Sequence, residues 1–223
     1  MKGVGVGKDS EKLQSLYDKE YFEDGIVTGK SCYQNYQWLP ELTIKMAHNL
    51  IKYLSVKDGE KILDYGCAKG YLVKALRVLD VEAYGCDISE YAMHTIDTDV
   101  RDYCRLLPAS GELPFDMTFD WIVSKDVMEH MSEEQIDSFL TQAAGASRKM
   151  FHIIPLGDNG VFRVSSYHED PSHIQIQDED WWMKRFEACG WKVTSFEFIV
   201  KGIKEKWTQR YPKGNGFFVL EKK

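Results

Sequence analysis

The segment Lys61-Ile-Leu-Asp-Tyr-Gly-Cys-Ala-Lys-Gly-Tyr-Leu72 constrains the fold of this chain more than any other. Apolar Ile62 and Leu63 run into an acid, Asp64, and small residues then recur at alternate positions, Gly66, Ala68 and Gly70. Tyr71, Leu72, Ala75 and Leu76 follow at helical spacing. This order predicts a buried strand that turns sharply through small residues into a helix, the first βα unit of a nucleotide-binding sheet. Small residues let the backbone approach a ligand, and the helix start offers unpaired N–H groups. Asp64 would repel a phosphate and suits an ammonium group. The turn therefore fits a nucleoside with a cationic amino-acid tail better than a pyrophosphate.

Two competing motifs fit less well. A dinucleotide-binding turn needs a further small residue where this chain has Tyr71. A P-loop ends in Gly-Lys-Ser or Gly-Lys-Thr, whereas Gly70 is followed by Tyr71 and Leu72. The next segment, Val81-Glu-Ala-Tyr-Gly-Cys-Asp87, reads as a second strand ending in an acid that can accept ribose hydroxyls. The plainer reading of Asp87 is a helix N-cap, a place that Ser89 can fill instead. Phe119-Asp-Trp-Ile-Val-Ser124 reads as another buried strand, followed by the polar stretch Lys125-Asp126-Val-Met-Glu129-His130. Ligands of parallel sheets lie beyond the carboxyl ends of strands, where these residues fall.

With these elements in order, the chain resembles the class I S-adenosylmethionine-dependent methyltransferases. It is most similar to the small single-domain group whose fourth strand ends in Asp-Val-Leu-Glu-His-Leu, here Asp126-Val-Met-Glu-His-Met131. The family's glycine motif stands as Asp64-Tyr-Gly66-Cys-Ala68-Lys-Gly70, with Ala68 for the usual middle glycine, which asks for an αR or β backbone there. Glu112-Leu-Pro-Phe115 is similar to the family's Leu-Pro-Phe segment, but Ala109 and Ser110 stand where an adenine-side Asp is usual. The resemblance implies a three-layer α/β/α sandwich around a Rossmann-like, seven-stranded, mostly parallel sheet with the last strand antiparallel. It implies S-adenosyl-L-methionine as cofactor and S-adenosyl-L-homocysteine as product. The cofactor would be held by Asp64, Gly66, Cys67, Ala68, Gly70, Asp87, Ile88, Ser110, Leu113 and Lys125.

Composition sets limits. At 223 residues and 43% apolar the chain can bury one substantial core, as a single compact domain. Residues 1–57 are expected to form a helical, aromatic cap and 58–223 the methyltransferase domain. No run reaches the ~18 apolar residues of a membrane span, and Met1–Ser10 lacks the apolar region of a signal peptide and reads as a flexible tail. Five scattered cysteines without Cys-x-x-Cys spacing imply reduced thiols, a cytoplasmic setting and no zinc site. The formal charge of −7 disfavours nonspecific nucleic-acid binding. Lys201, Lys204, Lys206, Arg210 and Lys213, interleaved with Trp207 and Tyr211, form a local basic stretch. It reads as a solvated connection, with a surface for an anionic or polymeric substrate as the sharper alternative.

Periodicity places helices at 11–22, 39–55, 70–79, 89–97, 133–147 and 178–190, and strands near 60–66, 81–87, 103–107, 119–124, 149–155, 191–200 and 216–221, the last two able to pair antiparallel. Outside the cofactor strands, Tyr33, Tyr36 and Trp38 lie too close together for one short helix to bury all three, which offers a pocket for a ring-shaped acceptor. Phe22 reads as a packing residue. The loop Tyr167-His168-Glu169-Asp170-Pro171-Ser172-His173 is similar to the Asp-Pro-Thr-His segment of related methyltransferases, with His168 as a substrate contact. A sulfonium methyl is already electrophilic, so catalysis needs alignment and a free lone pair on the acceptor. For a hydroxyl acceptor, His173 is the first expected base, with His130 and Asp126 next. His173 could equally orient its own loop. No pair of acids shows metal-ligand spacing, so no metal is expected. The expected function is methyl transfer to a small or medium acceptor, at oxygen, with a sugar or glycan precursor favoured by the resemblance. Methylation of RNA or protein, and a nucleoside-binding regulator without transfer activity, are the alternatives.

Overall fold

The structure is a computed structural model that describes residues 14–223. Seven strands form one sheet in the order β3-β2-β1-β4-β5-β9-β8. They are β1 (Lys61–Tyr65), β2 (Glu82–Asp87), β3 (Cys104–Leu106), β4 (Trp121–Lys125), β5 (Lys149–Pro155), β8 (Trp191–Glu197) and β9 (Asn215–Lys222). A separate hairpin pairs β6 (Gly157–Asp158) with β7 (Val161–Phe162). Pairs β1–β2, β1–β4, β2–β3 and β4–β5 are parallel, whereas β9 runs antiparallel between β5 and β8. The expected Rossmann-like sandwich with an antiparallel last strand is therefore present.

Both faces of the sheet are covered, as a parallel sheet requires. Successive residues of a strand point to opposite faces, and β1 shows the consequence. Ile62 belongs to a core with Leu50, Leu76, Val123 and Phe151. Leu63 belongs to the other, with Ile122, Ile136, Leu140, Trp182 and Phe186. Helices Pro40–Leu54 and Tyr71–Val78 cover the first face, and Glu133–Ala146 and Glu179–Ala188 the second. Their starts are well signalled. Pro40 opens the first, Ser132 and Gln135 form a capping box, and Asp178 accepts from the Trp181 amide.

The chain winds outward in both directions from β1 and β4, leaving a crevice at their carboxyl ends. The N-terminal segment roofs that crevice. Its helix Lys19–Glu23 is part of the one expected over 11–22, the first residues of which lie outside those described, as does the expected tail. The connection Lys201–Lys213 contains a further short helix, Glu205–Arg210, and its Lys201, Lys206, Arg210 and Lys213 are exposed. Among the described residues no helix is long and apolar enough to cross a membrane.

Candidate active site

A cavity of about 500 Å³ opens where β1, β2 and β4 end. Its floor is formed by Asp64 in β1 with Gly66, Cys67 and Ala68 just beyond it, Asp87 and Ile88 at the end of β2, Ser110 after β3, and Lys125 and Asp126 at the end of β4. Gly66 is required twice over. Its φ is 81°, and a Cβ there would stand 2.4 Å from Val127 Cγ2. Gly85 on β2 has no side chain because Cys67 Sγ occupies that space, 2.7 Å from where a Cβ would sit.

Ala68 departs from expectation. Its φ is 49°, left-handed rather than αR or β. The compensation is a hydrogen bond from the Ala68 amide to Asp87 Oδ2 at 2.7 Å, while Asp87 Oδ1 accepts from the Ser89 amide at 2.8 Å. Ser89 caps the next helix by accepting from the Ala92 amide. Asp87 thus clamps the turn against the end of β2 and still presents its carboxylate to the cavity. Asp64 is buried and is not tied to backbone in this way. Burial pushes its carboxyl up to about 7, with Lys125 pulling it down and Asp87 adding to the rise.

The roof is aromatic. Tyr33 stacks on Phe22, with ring centres 6.2 Å apart, and meets Tyr36 edge-on at 5.0 Å. The roof is anchored by Lys69, which pairs with Glu23 and donates to the Tyr36 carbonyl at 3.1 Å. Tyr33 and Tyr36 line the cavity; Trp38 instead lies over Tyr71, with Lys74 Nζ 5.4 Å from its ring centre.

The far wall is the elbow after β4. Asp126 has a φ of 55° and accepts from Lys125 and Lys204, each at 2.7 Å. Burial opposes its charge, but the two ammonium groups hold its carboxyl well below the usual carboxylate range. Asp126 is therefore a fixed anion, a poor general base. His130 lines the cavity, and burial together with His173 lowers its imidazole to about 4, so it is neutral. The loop 167–174 packs behind this elbow. Ser172 Oγ lies 2.8 Å from His130 Nδ1, and the His130 and His173 rings are 4.6 Å apart.

His173 lies behind His130, outside the cavity lining, with Nδ1 2.7 Å from the Tyr167 carbonyl. His168 faces away and accepts from the Phe162 amide at 3.0 Å. Gly70 forms the start of helix Tyr71–Val78, and Leu113 packs into the second core; neither lines the cavity. Sequence reasoning missed Glu129, fully buried behind His130, and Asp170, which accepts from Tyr21 Oη at 2.9 Å. It also missed the inward turn of Lys204. The signal for Glu129 and Asp170 was their place inside the two quoted motifs, but only folding brings those motifs together.

Residues 41–200 match a protein family described as a methyltransferase domain. The chain is 23% identical to a probable tRNA (uracil-O(2)-)-methyltransferase of Caenorhabditis elegans, a match covering 92% of this chain and 40% of that protein. It is 30% identical to a glycine dehydrogenase (decarboxylating) of Nostoc sp. over 47% of this chain and 11% of that protein. The chain thus spans less than half the length of these curated relatives. Its fold is similar to a magnesium protoporphyrin IX methyltransferase from Synechocystis solved with bound SAH, with a TM-score of 0.64, 13% identity and coverage of 96% of this chain and 100% of that one.

Proposed function

The chain belongs to the methyltransferase-domain family, and from that premise we propose that it transfers the sulfonium methyl of S-adenosylmethionine to an oxygen of a small or medium acceptor. The observation that carries this reading is the polarity of one cavity. Two buried carboxylates, Asp64 and Asp87, stand at the glycine turn, and a neutral imidazole, His130, stands at the opposite wall.

Asp64 is placed to hold the cofactor's ammonium, which restores its ionised form against the pull of burial. Asp87 is placed to accept from ribose hydroxyls with the lone pairs left over from its two backbone contacts. Ile88 and Ser110 flank the space for the base, in the position where the family usually has an acid. When bound, the cofactor supplies an electrophilic methyl whose bond to sulfur breaks as a bond to the acceptor forms. The residues of this chain must then align the acceptor, exclude water and help a hydroxyl lose its proton. Among the cavity-lining groups, the His130 imidazole is the one left to accept a hydrogen bond from that hydroxyl, as a weak base because burial keeps it neutral, whereas an amine acceptor would not need it.

Oxygen as the acceptor atom also has support from the relative named for transfer to uracil O(2). A ring-shaped acceptor such as a sugar or glycan precursor is favoured by the half-buried rings of Tyr33 and Tyr36, which line the cavity. A small acceptor is favoured by the size of the cavity, which falls in the roughly 300–1,000 Å³ range of small-molecule pockets. Polymeric RNA is disfavoured by the charge of −7 and by the commitment of Lys204 to Asp126. The test is incubation with methyl-labelled S-adenosylmethionine and a panel of sugars, phenols and amines. Labelled methyl on oxygen supports the reading; label confined to nitrogen, or cofactor binding without any transfer, contradicts it.

A further inference from the structure

Behind the cavity wall, Glu129 is fully buried, and neither of its carboxyl oxygens has a hydrogen-bond partner among the described residues. Leaving such a group uncompensated is costly, so a buried carboxylate is normally paired, protonated or bound to a metal. One of its oxygens and one ring nitrogen from each of His130 and His173 lie within 4.8 Å of one another. His173 Nε2 is 4.0 Å from Glu129 Oε1.

The hydrogen bonds around the two imidazoles set which nitrogen keeps its lone pair. His173 Nδ1 faces the Tyr167 carbonyl at 2.7 Å and must donate to it, so Nε2 carries the lone pair. Ser172 Oγ gives its single proton to Asp170 and therefore accepts at 2.8 Å from His130 Nδ1, which again leaves Nε2 as the lone pair. Nδ1 donation to a carbonyl, or through a hydroxyl to a carboxylate, is the arrangement that orients metal-binding histidines. Asp126 is occupied by two lysines, and Asp170, whose Oδ2 lies 3.9 Å from His173 Nε2, already accepts from the hydroxyls of Tyr21 and Ser172.

We propose that Glu129, His130 and His173 form a divalent metal site, open toward the cavity on the His130 side, that takes a borderline cation such as Zn²⁺ or Co²⁺. The donor set of two imidazoles and one carboxylate suits such ions better than Mg²⁺ or Ca²⁺, which favour all-oxygen surroundings. Ligand atoms at tetrahedral Zn²⁺ stand about 3.3 Å apart when the bonds are ~2.05 Å. From separations of 4.0 Å between His173 Nε2 and Glu129 Oε1 and up to 4.8 Å across the trio, the site would thus close by about 0.7 to 1.5 Å on binding. No metal-ligand spacing is visible along the chain because the third ligand, His173, is supplied by a loop forty-three positions downstream of His130.

The inference rests on the oxygen-methylation reading and changes one feature of it. The imidazoles hold a cation instead of taking the proton themselves. The cation lowers the cost of ionising an acceptor hydroxyl, whose proton passes to water. The oxygen then bonds to the methyl while the methyl–sulfur pair returns to sulfur.

The experiment is titration of the metal-stripped, full-length protein with Co²⁺, followed by its visible absorption, and with Zn²⁺, followed by thermal melting. S-adenosylmethionine binding is measured in parallel by calorimetry. The expected result is one Co²⁺ per chain and a melting temperature raised by Zn²⁺. Glu129→Gln and His173→Gln should lose both, with Co²⁺ affinity falling by at least the roughly 10–100-fold seen when metal-site support is removed. Both variants should still bind the cofactor, which shows that they fold. Cofactor binding without metal binding in the native chain overturns the metal site and leaves the methyl-transfer reading standing with His130 as base. Metal binding that survives in both variants also overturns it. Loss of both bindings in the native chain overturns both readings.

Discussion

Asp126 and Lys204, separated by 78 positions in the chain, are joined by an ion pair of 2.7 Å, and both have left-handed backbone, with φ of 55° and 48°. Non-glycine residues keep such conformations only where their surroundings over-determine them, and they gather at functional sites. Here the surroundings are each other. The elbow after β4, which carries Lys125, Glu129 and His130, is fastened to the segment that leads into β9. Tyr167 joins the same knot, accepting from Lys204 at 3.2 Å and donating to Asn215 at 2.9 Å.

Removing the ammonium should loosen that elbow. Lys204→Met leaves Asp126 with Lys125 alone, so the cost should be about 2 kcal/mol, below the 3–5 kcal/mol of a wholly uncompensated buried charge. Urea denaturation of both proteins measures it. An unchanged midpoint would show that the pair does not hold the elbow.

Ala68 stores strain at the cofactor turn. Left-handed backbone costs an alanine roughly 1–2 kcal/mol, and glycine gives back about 0.4–1 kcal/mol of this through unfolded-chain entropy. Ala68→Gly should therefore stabilise the protein by about 0.5–1 kcal/mol, or a few degrees in Tm for a chain of this size. Cofactor affinity should be kept, because the Asp87 contact is made by the backbone amide. A fall in Tm would mean that the methyl group contributes packing that outweighs the strain.

Asp64 makes cofactor binding depend on pH. Its carboxyl sits at about 7 in the free protein because of burial, and only the ionised form attracts an ammonium. Below pH 7 binding must first release that proton, so affinity should weaken by up to tenfold per unit as pH falls. It should level off above 7 for as long as the ligand's amine stays protonated. Asp64→Asn should bind more weakly and lose this slope. Calorimetry between pH 5.5 and about 8 reads both; a flat profile in the native protein would remove Asp64 from the ammonium contact.

The aromatic roof separates two neighbouring residues by their surroundings. Tyr36→Ala opens the cavity and should raise the acceptor KM several-fold, whereas Trp38→Ala removes a ring that lies on Tyr71 outside the lining and should leave KM near the native value. Steady-state kinetics with the best acceptor from the panel compares them. Equal effects would argue that the roof acts as one packed unit.

Much of the fold was legible because local patterns and global packing agree. Ile62 and Leu63 read as a doubly buried strand and are one, with each side chain committed to a different core. Gly66 and Gly70 punctuated the turn for the steric and backbone reasons that the structure displays. Ala68 misled because intrinsic preference was overridden by a tertiary contact, the Asp87 carboxylate on its amide. At the site, residues contributed by strand ends were readable from order alone. The relations among Glu129, His130, Ser172 and His173 were not, since proximity between distant loops leaves no periodic trace. Lys204 illustrates the same limit: within a run of lysines and arginines nothing in the sequence distinguishes the one that turns inward.

The most direct test is calorimetric titration with S-adenosylmethionine of the native chain and of a variant carrying both Asp64→Asn and Asp87→Ala. Saturable binding of one cofactor per native chain is expected, with loss of binding in the double variant and the fold retained by circular dichroism. Absence of binding by the native chain, or equal binding by the variant, would contradict that expectation.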